Sequence, residues 1–200
     1  MAKPRNIPDI ERPSRTEVDR YLKLWDSLEN YKLQESSLRK LFSKTYPLNV
    51  DLDDVLIKVC ALNDFYSTNI YSPFAVAKHI VALKIDGPIM RGDLTVVNKI
   101  AKIEMNGGKH WNFYSFATKY CSHHQPTIYP IYDYHVEQIL LWFKRRDDFC
   151  AFSVADLRIY STYRSVLLEF RKFYKLDSFD LKQIDKYLWQ AGKKYFPRKY

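Results

Sequence analysis

Between Lys109 and Val136 the chain reads KHWNFYSFATKYCSHHQPTIYPIYDYHV, which sets Lys119 on an aromatic, helix-patterned segment and Asp133 just beyond a Pro-punctuated turn. A connection of that kind can fold the amine and the carboxylate back towards each other. Apolar surroundings disfavour the ammonium form of a lysine, and the neutral amine is a nucleophile for an electrophilic sugar carbon. A carboxylate beside that carbon stabilises the positive charge that develops there. The same two residues would equally make a surface salt bridge, and Asp133 is also a natural N-cap for the segment from Tyr134. Lys109, directly after the glycine pair Gly107-Gly108, is the alternative amine.

The elements that must position these residues are legible as helices. Residues 1–13 carry Pro4, Pro8 and Pro13 among charges and read as an extended N-terminal arm. Ser14-Arg15-Thr16-Glu17 has the pattern of a capping box, followed by Val18, Tyr21, Leu22 and Trp25 at helical spacing to about Leu28. A second helix carries Leu33, Leu38, Leu41 and Phe42 and stops before Pro47; a third spans Asp51 to Tyr66. Ser72-Pro73 opens a fourth to about Leu83, Asp86-Gly87-Pro88 breaks the chain, and Asp93 caps a helix through about Ile103. Asn106-Gly107-Gly108 is read as a turn into a helix from Trp111 to about Ser122. Further helices follow at Tyr132–Lys144, near 161–174 and at 181–195, the last capped by Asp180 with Gln183. Thr127–Tyr132 is the one short ambiguous run. The fold class read from this pattern is all-α.

Composition narrows the partners. The chain has 200 residues, 46% hydrophobic and 28% charged, enough to bury a core and remain soluble. Its formal charge of +9 favours an anionic partner, with nucleic acid ahead of an acidic membrane surface. Sixteen tyrosines and a 16% aromatic content provide both core rings and ring faces for stacking. Cys60, Cys121 and Cys150 form no CxxC and no even framework, which points to a reducing, intracellular compartment. No apolar run reaches the ~20 residues that cross a bilayer, and the N-terminus has no apolar signal region.

Three segments, taken in order, resemble the helix-hairpin-helix DNA glycosylases of base-excision repair. They are Val55–Ile70, the run from Leu94 through Asn106-Gly107-Gly108 to Pro130-Ile131-Tyr132-Asp133, and Asp185-Lys186-Tyr187-Leu188-Trp189-Gln190-Ala191-Gly192-Lys193. The resemblance covers roughly residues 50–195. It implies a two-lobed helical domain over 14–200, with a middle lobe of about 50–130 and a terminal lobe from 14–49 and 131–200. It further implies excision of an altered base flipped from double-stranded DNA, with possible abasic-site lyase activity, by a cofactor-free monomer in the cytoplasm, nucleoid or nucleus. Asp133 takes the catalytic carboxylate position and Lys119, or alternatively Lys109, the nucleophile. Asn69 would probe the gap left by the base, and Gly107, Gly108, Lys109 and His110 would grip a phosphate. Phe65, Tyr66, Tyr132 and Tyr134 would line the base pocket. The glycines are adjacent here, whereas the family spaces them, and the lysine-to-aspartate interval is shorter than usual. The rival readings are a catalytically silent DNA- or nucleotide-binding module and a helical protein-interaction domain.

The remaining reactive side chains read as structural. Cys121, His123 and His124 lack a second ligand cluster, so no metal site is expected. Cys60 and Cys150 read as buried thiols, and Lys144-Arg145-Arg146 as a solvated helix end favoured by the helix dipole.

Overall fold

The computed structural model describes residues 9–105 and 108–198. Among them the chain forms α1 (Arg15–Ser27), α2 (Glu29–Lys40), α3 (Leu52–Tyr66), α4 (Pro73–Leu83), α5 (Asp86–Met90), α6 (Thr95–Ala101), β1 (Lys102–Met105), β2 (Lys109–Asn112), α7 (Tyr114–His124), α8 (Tyr134–Asp147), α9 (Tyr160–Phe173) and α10 (Leu181–Tyr195). A π-helical turn, Leu41–Thr45, extends α2, and a 3-10 turn, Asp156–Arg158, precedes α9. The protein is mostly helical. No described helix is long and apolar enough to cross a membrane.

Local chemistry sets the helix starts. Ser14 accepts a hydrogen bond from the Glu17 amide at 3.2 Å, although the Glu17 carboxylate turns to Arg20 instead of closing the box. Asp180 and Gln183 make the full reciprocal box at the head of α10. Asp133 caps α8 by accepting from the His135 amide at 2.9 Å. Pro73 stands at the first position of α4, where its missing N–H costs nothing.

The hairpin differs from the sequence expectation. Lys102–Met105 and Lys109–Asn112 form antiparallel strands, with Ile103 opposite Trp111 and Glu104 opposite His110. The helix expected to run through Ile103 ends at Ala101, and the aromatic helix starts at Tyr114, not Trp111. Asn-Gly flanked by alternating residues is a hairpin signal, and here it overrides the weak helical stripe. A second difference is α5, a helical turn where Asp86-Gly87-Pro88 reads as a break.

One contiguous core runs through the molecule, from Ile10 near the start to Ala191 near the end. Arg146 donates to the Ile10 carbonyl at 2.6 Å and stacks over Trp142, so this part of the basic run is docked where a solvated helix end was expected. Cys60 is exposed rather than buried. Helix α10 packs on α8 and α1, while α3 packs on α4 and α6 on α7. At Gly192 the approach is closest: a Cβ there would run into the His135 carbonyl at the start of α8. That contact fixes α10 against the segment carrying Asp133.

A fully buried lysine, Lys58, packs beside Tyr120 of α7. Lys58 donates to the Tyr46 carbonyl at 3.0 Å, the Leu48 carbonyl at 2.7 Å and Asn49 Oδ1 at 2.7 Å. Tyr120 donates to the same Asn49 oxygen at 2.6 Å, and the Asn49 side-chain amide donates to Asp86 at 2.5 Å. This network pins the turn between α2 and α3 to α5 and α7.

Candidate active site

A cavity of about 280 Å³ opens where α1, α2, the end of α3, α7, the start of α8 and α10 converge. Lys119, from the middle of α7, lies at its inner wall with its side chain 4% exposed. Its Nζ donates to Ser115 Oγ at 2.5 Å and, more weakly, to the Tyr132 carbonyl at 3.4 Å. Asp133 Oδ2 stands 3.8 Å from the same nitrogen. Burial pushes the Lys119 amine below its ordinary value, while Asp133 and then Asp185 pull the other way. The Tyr66 ring lies 5.3 Å from the amine, an aromatic face on its approach side.

Asp133 therefore serves two functions at once. One oxygen caps α8 and the other faces Lys119. Its position follows from the Pro130 turn, which ends the preceding loop in extended backbone, and from the preference of aspartate for N-caps.

Opposite Lys119 is a wall of three rings. Trp189 of α10 meets Tyr31 edge-on at 5.0 Å and Trp25 at 5.9 Å between centroids. Such pairs are worth about 0.5–1.5 kcal/mol each beyond their burial. Lys193 donates to the Tyr31 hydroxyl and lies over the Trp189 ring, and Lys186 lies 4.7 Å over Trp25. Arg198 covers Tyr134. Cations thus decorate the rim while aromatic faces form the side.

A charge relay closes the base of the wall. Glu35 of α2 accepts from Lys186 at 2.7 Å and lies 3.4 Å from Lys182, which in turn lies 3.7 Å from Asp185. Burial would lower the Lys182 ammonium, but Asp185, Tyr66 and Glu35 outweigh it and hold it above its ordinary value. Burial pushes the Asp185 carboxyl up to about 6 against the pull of Lys182, and Asp133 adds to the rise. Burial also pushes the Tyr66 phenol up to about 12 and His123 down to about 3, so the two share a hydrogen bond of 3.1 Å as neutral groups.

Of the residues singled out from sequence, Lys119, Asp133, Phe65, Tyr66 and Tyr134 come together on the cavity. Tyr132 does not. Its hydroxyl bonds Glu137, its ring packs on Tyr114 and Tyr163, and only its carbonyl reaches the site. Asn69 is exposed in left-handed backbone (φ 59°) on the loop after Ser67, a residue that does line the cavity. Lys109 and His110 are exposed on β2, and His110 instead borders a shallow groove with His79 and Trp111. Gly108 occupies the hairpin turn at φ 72°, and α7 begins only at Tyr114, so its amide is not part of a helix N-terminus. Gly107 lies outside the described residues. No group of three or more potential metal ligands occurs among the described residues.

Sequence reasoning missed Trp25, Tyr31, Glu35 and Lys182 and assigned no role to Asp185 or Trp189. A signal existed on α10: Lys182 and Lys186, and Asp185, Trp189 and Lys193, fall at i, i+4 spacing and share a face.

In class, this is a mostly helical protein with a buried amine and a half-buried carboxylate facing each other at the inner end of an aromatic cavity. The family model described as HI_0787_N, N-terminal domain, matches residues 17–128. A protein of Haemophilus influenzae, described as uncharacterized, is 44% identical over 148 residues, covering 74% of this chain and 70% of that relative. The chain belongs to this family. No solved structure matches it.

Proposed function

We propose that the protein acts on a nucleotide extruded from double-stranded DNA, as a base-excision glycosylase with abasic-site lyase activity. The observation that carries this reading is Lys119: a buried amine, shifted towards its neutral form, 3.8 Å from Asp133 and open to an aromatic cavity. The cavity, about 280 Å³, falls just below the roughly 300–1,000 Å³ span of ligand sites, a size suited to one base and not to an extended ligand. Rings of Trp25, Tyr31 and Trp189 supply stacking surface, and rim cations supply attraction for phosphate.

Chemistry follows from these positions. The Lys119 lone pair attacks C1′ as the C1′–N bond breaks, and the base departs with the bonding electrons and takes up a proton. Asp133 stabilises the oxocarbenium-like charge at C1′ between those events. A proton passes from the new C1′–ammonium nitrogen to O4′ as the C1′–O4′ bond breaks, giving a Schiff base, from which loss of a C2′ proton expels the 3′ phosphate by β-elimination.

The reading is tested by borohydride reduction of the full chain mixed with duplex DNA bearing one abasic site. A covalent protein–DNA adduct is expected, absent with Lys119→Ala and retained with Lys109→Ala. Failure of the wild-type protein to form an adduct removes the lyase, and failure to release any base from a panel of oxidised, alkylated and deaminated duplexes removes the glycosylase. The silent binding module is favoured instead by duplex affinity with a steep salt slope but neither product.

A further inference from the structure

Asp185 and Trp189 stand one helical turn apart on α10, and both line the cavity. Their i, i+4 spacing presents a carboxylate and an indole to the same occupant. Asp185 is 5% exposed, yet its polar contact among the described residues is the ion pair to Lys182 at 3.7 Å, too long for a hydrogen bond. The other carboxylates of the cavity are engaged: Asp133 accepts from the His135 amide and Glu35 from Lys186. An ionised carboxylate accepts hydrogen bonds and donates none, so Asp185 presents acceptor capacity to the cavity that its ion pair with Lys182 does not fill. A ligand that brings N–H groups to this point fills that capacity.

We infer that Asp185 determines the specificity of this cavity, accepting two parallel hydrogen bonds from the edge of a guanine-type purine whose ring lies against Trp189. The inference rests on the reading that a base enters the cavity. A guanine edge carries the ring N1–H beside the exocyclic N2–H, two adjacent donors spaced for the two oxygens of one carboxylate. Adenine offers an acceptor at N1, and cytosine pairs its one amino group with an acceptor at N3. Thymine and uracil hold a single N–H between two carbonyls, which the carboxylate repels. Hypoxanthine keeps N1–H but has no amino group. A site with buried polar groups rejects the analogue lacking a matching donor because those groups are then left unpaired.

The ionised form of Asp185 is the one that binds. Lys182 on its own helix favours ionisation and Lys119 of α7 adds to this, while Asp133 at the head of α8 and Glu35 of α2 oppose it. The carboxyl, raised to about 6, is ionised at pH 7.5, so binding should weaken as pH falls through about 6.

Titration of the full chain with 2′-deoxyguanosine, 2′-deoxyinosine and 2′-deoxyadenosine, followed by the fluorescence of Trp25 and Trp189, tests the inference. Deoxyguanosine should bind about tenfold or more tightly than deoxyinosine, the scale of one good bidentate contact. Asp185→Asn, checked for folding by thermal melting, should bring that ratio close to one. If Asp185→Asn does not fold, the wild-type ratio and its loss between pH 7.5 and 5.5 carry the test. Equal binding of the three nucleosides, a ratio that survives in Asp185→Asn, or no nucleoside binding at all overturns the inference. A carboxylate that served only as a counter-ion for Lys182 would weaken all three nucleosides alike on substitution. Abasic-site trapping is independent of these outcomes, so loss of the guanine preference with trapping intact leaves the lyase reading standing.

Discussion

Among the described residues Lys58 and Lys119 are both buried beside α7, and they have been put to different uses. Lys58 is sealed from solvent and surrounded by three oxygen acceptors, one for each proton of its ammonium. Burial pushes it down to about 8, with Asp86 and Asp54 opposing, yet the amine does not line the cavity that Lys119 borders. Lys119 has a serine hydroxyl at 2.5 Å, a carbonyl at 3.4 Å and a carboxylate at 3.8 Å, and it faces open space. Desolvation acts on both. What separates a strut from a reactive group is the number of short acceptors around it and whether a ligand can reach it.

The largest effect that sharpens this contrast is on chemistry. Lys119→Ala should lower abasic-site trapping by a factor on the order of 1,000, as expected when a covalent nucleophile is removed, with the melting curve little changed. Conversely, Lys58→Met should leave trapping per folded molecule intact while costing about 3 kcal/mol in denaturant unfolding, because the Tyr46 and Leu48 carbonyls and Asn49 lose their donor. If Lys58→Met abolished trapping in folded protein, the strut reading of Lys58 would fail.

A smaller effect concerns pH. Burial holds the Lys58 amine at about 8 in the folded protein against an ordinary 10.5, so between those limits the unfolded chain binds more protons than the folded one. Stability contributed by this group should rise with pH across that window, and Lys58→Met should flatten the rise in a series of melts. For Lys119 the relevant readout is the trapping rate, which should climb with pH as the amine loses its proton. Asp133 favours the ammonium, so Asp133→Asn should move that climb to lower pH while reducing the plateau. An unmoved midpoint would show that the two groups do not sense each other. Least dramatic is Trp189→Ala, which removes one ring of the wall and should weaken duplex binding by about 1–3 kcal/mol, the worth of one stacked base, in a fluorescence anisotropy titration.

Much of this arrangement is written locally and can be read without coordinates. Ser14, Pro73, Asp133 and Asp180 mark helix starts because each acts on backbone groups within three residues of itself. Lys119 meets Asp133 because only a short Pro-punctuated connection separates them. The aromatic wall is different: Trp25 and Tyr31 reach Trp189 across more than 150 residues, and no local periodicity encodes that pairing. The hairpin was legible in principle, since Ile103 and Trp111 alternate with polar residues on either side of Asn106-Gly107. The apolar stripe of α6 running into it supplied a competing helical period. Tyr132 went astray for a simpler reason: it neighbours Asp133 in sequence, but extended backbone sends successive side chains to opposite sides.

Gly192 gives the cavity a fixed jaw and a loose one. With no side chain at that position, α10 is seated directly on the backbone that begins α8, so Asp133, Asp185 and Trp189 move as one piece. The facing jaw, α2, holds α10 through Glu35 on Lys182 and Lys186 and through the Tyr31 ring edge-on to Trp189. Ion pairs at a partly exposed rim are screened by salt, whereas backbone seating is not. Widening of the cavity to admit a bulky guest is therefore assigned to the α2 side and should become easier as ionic strength rises.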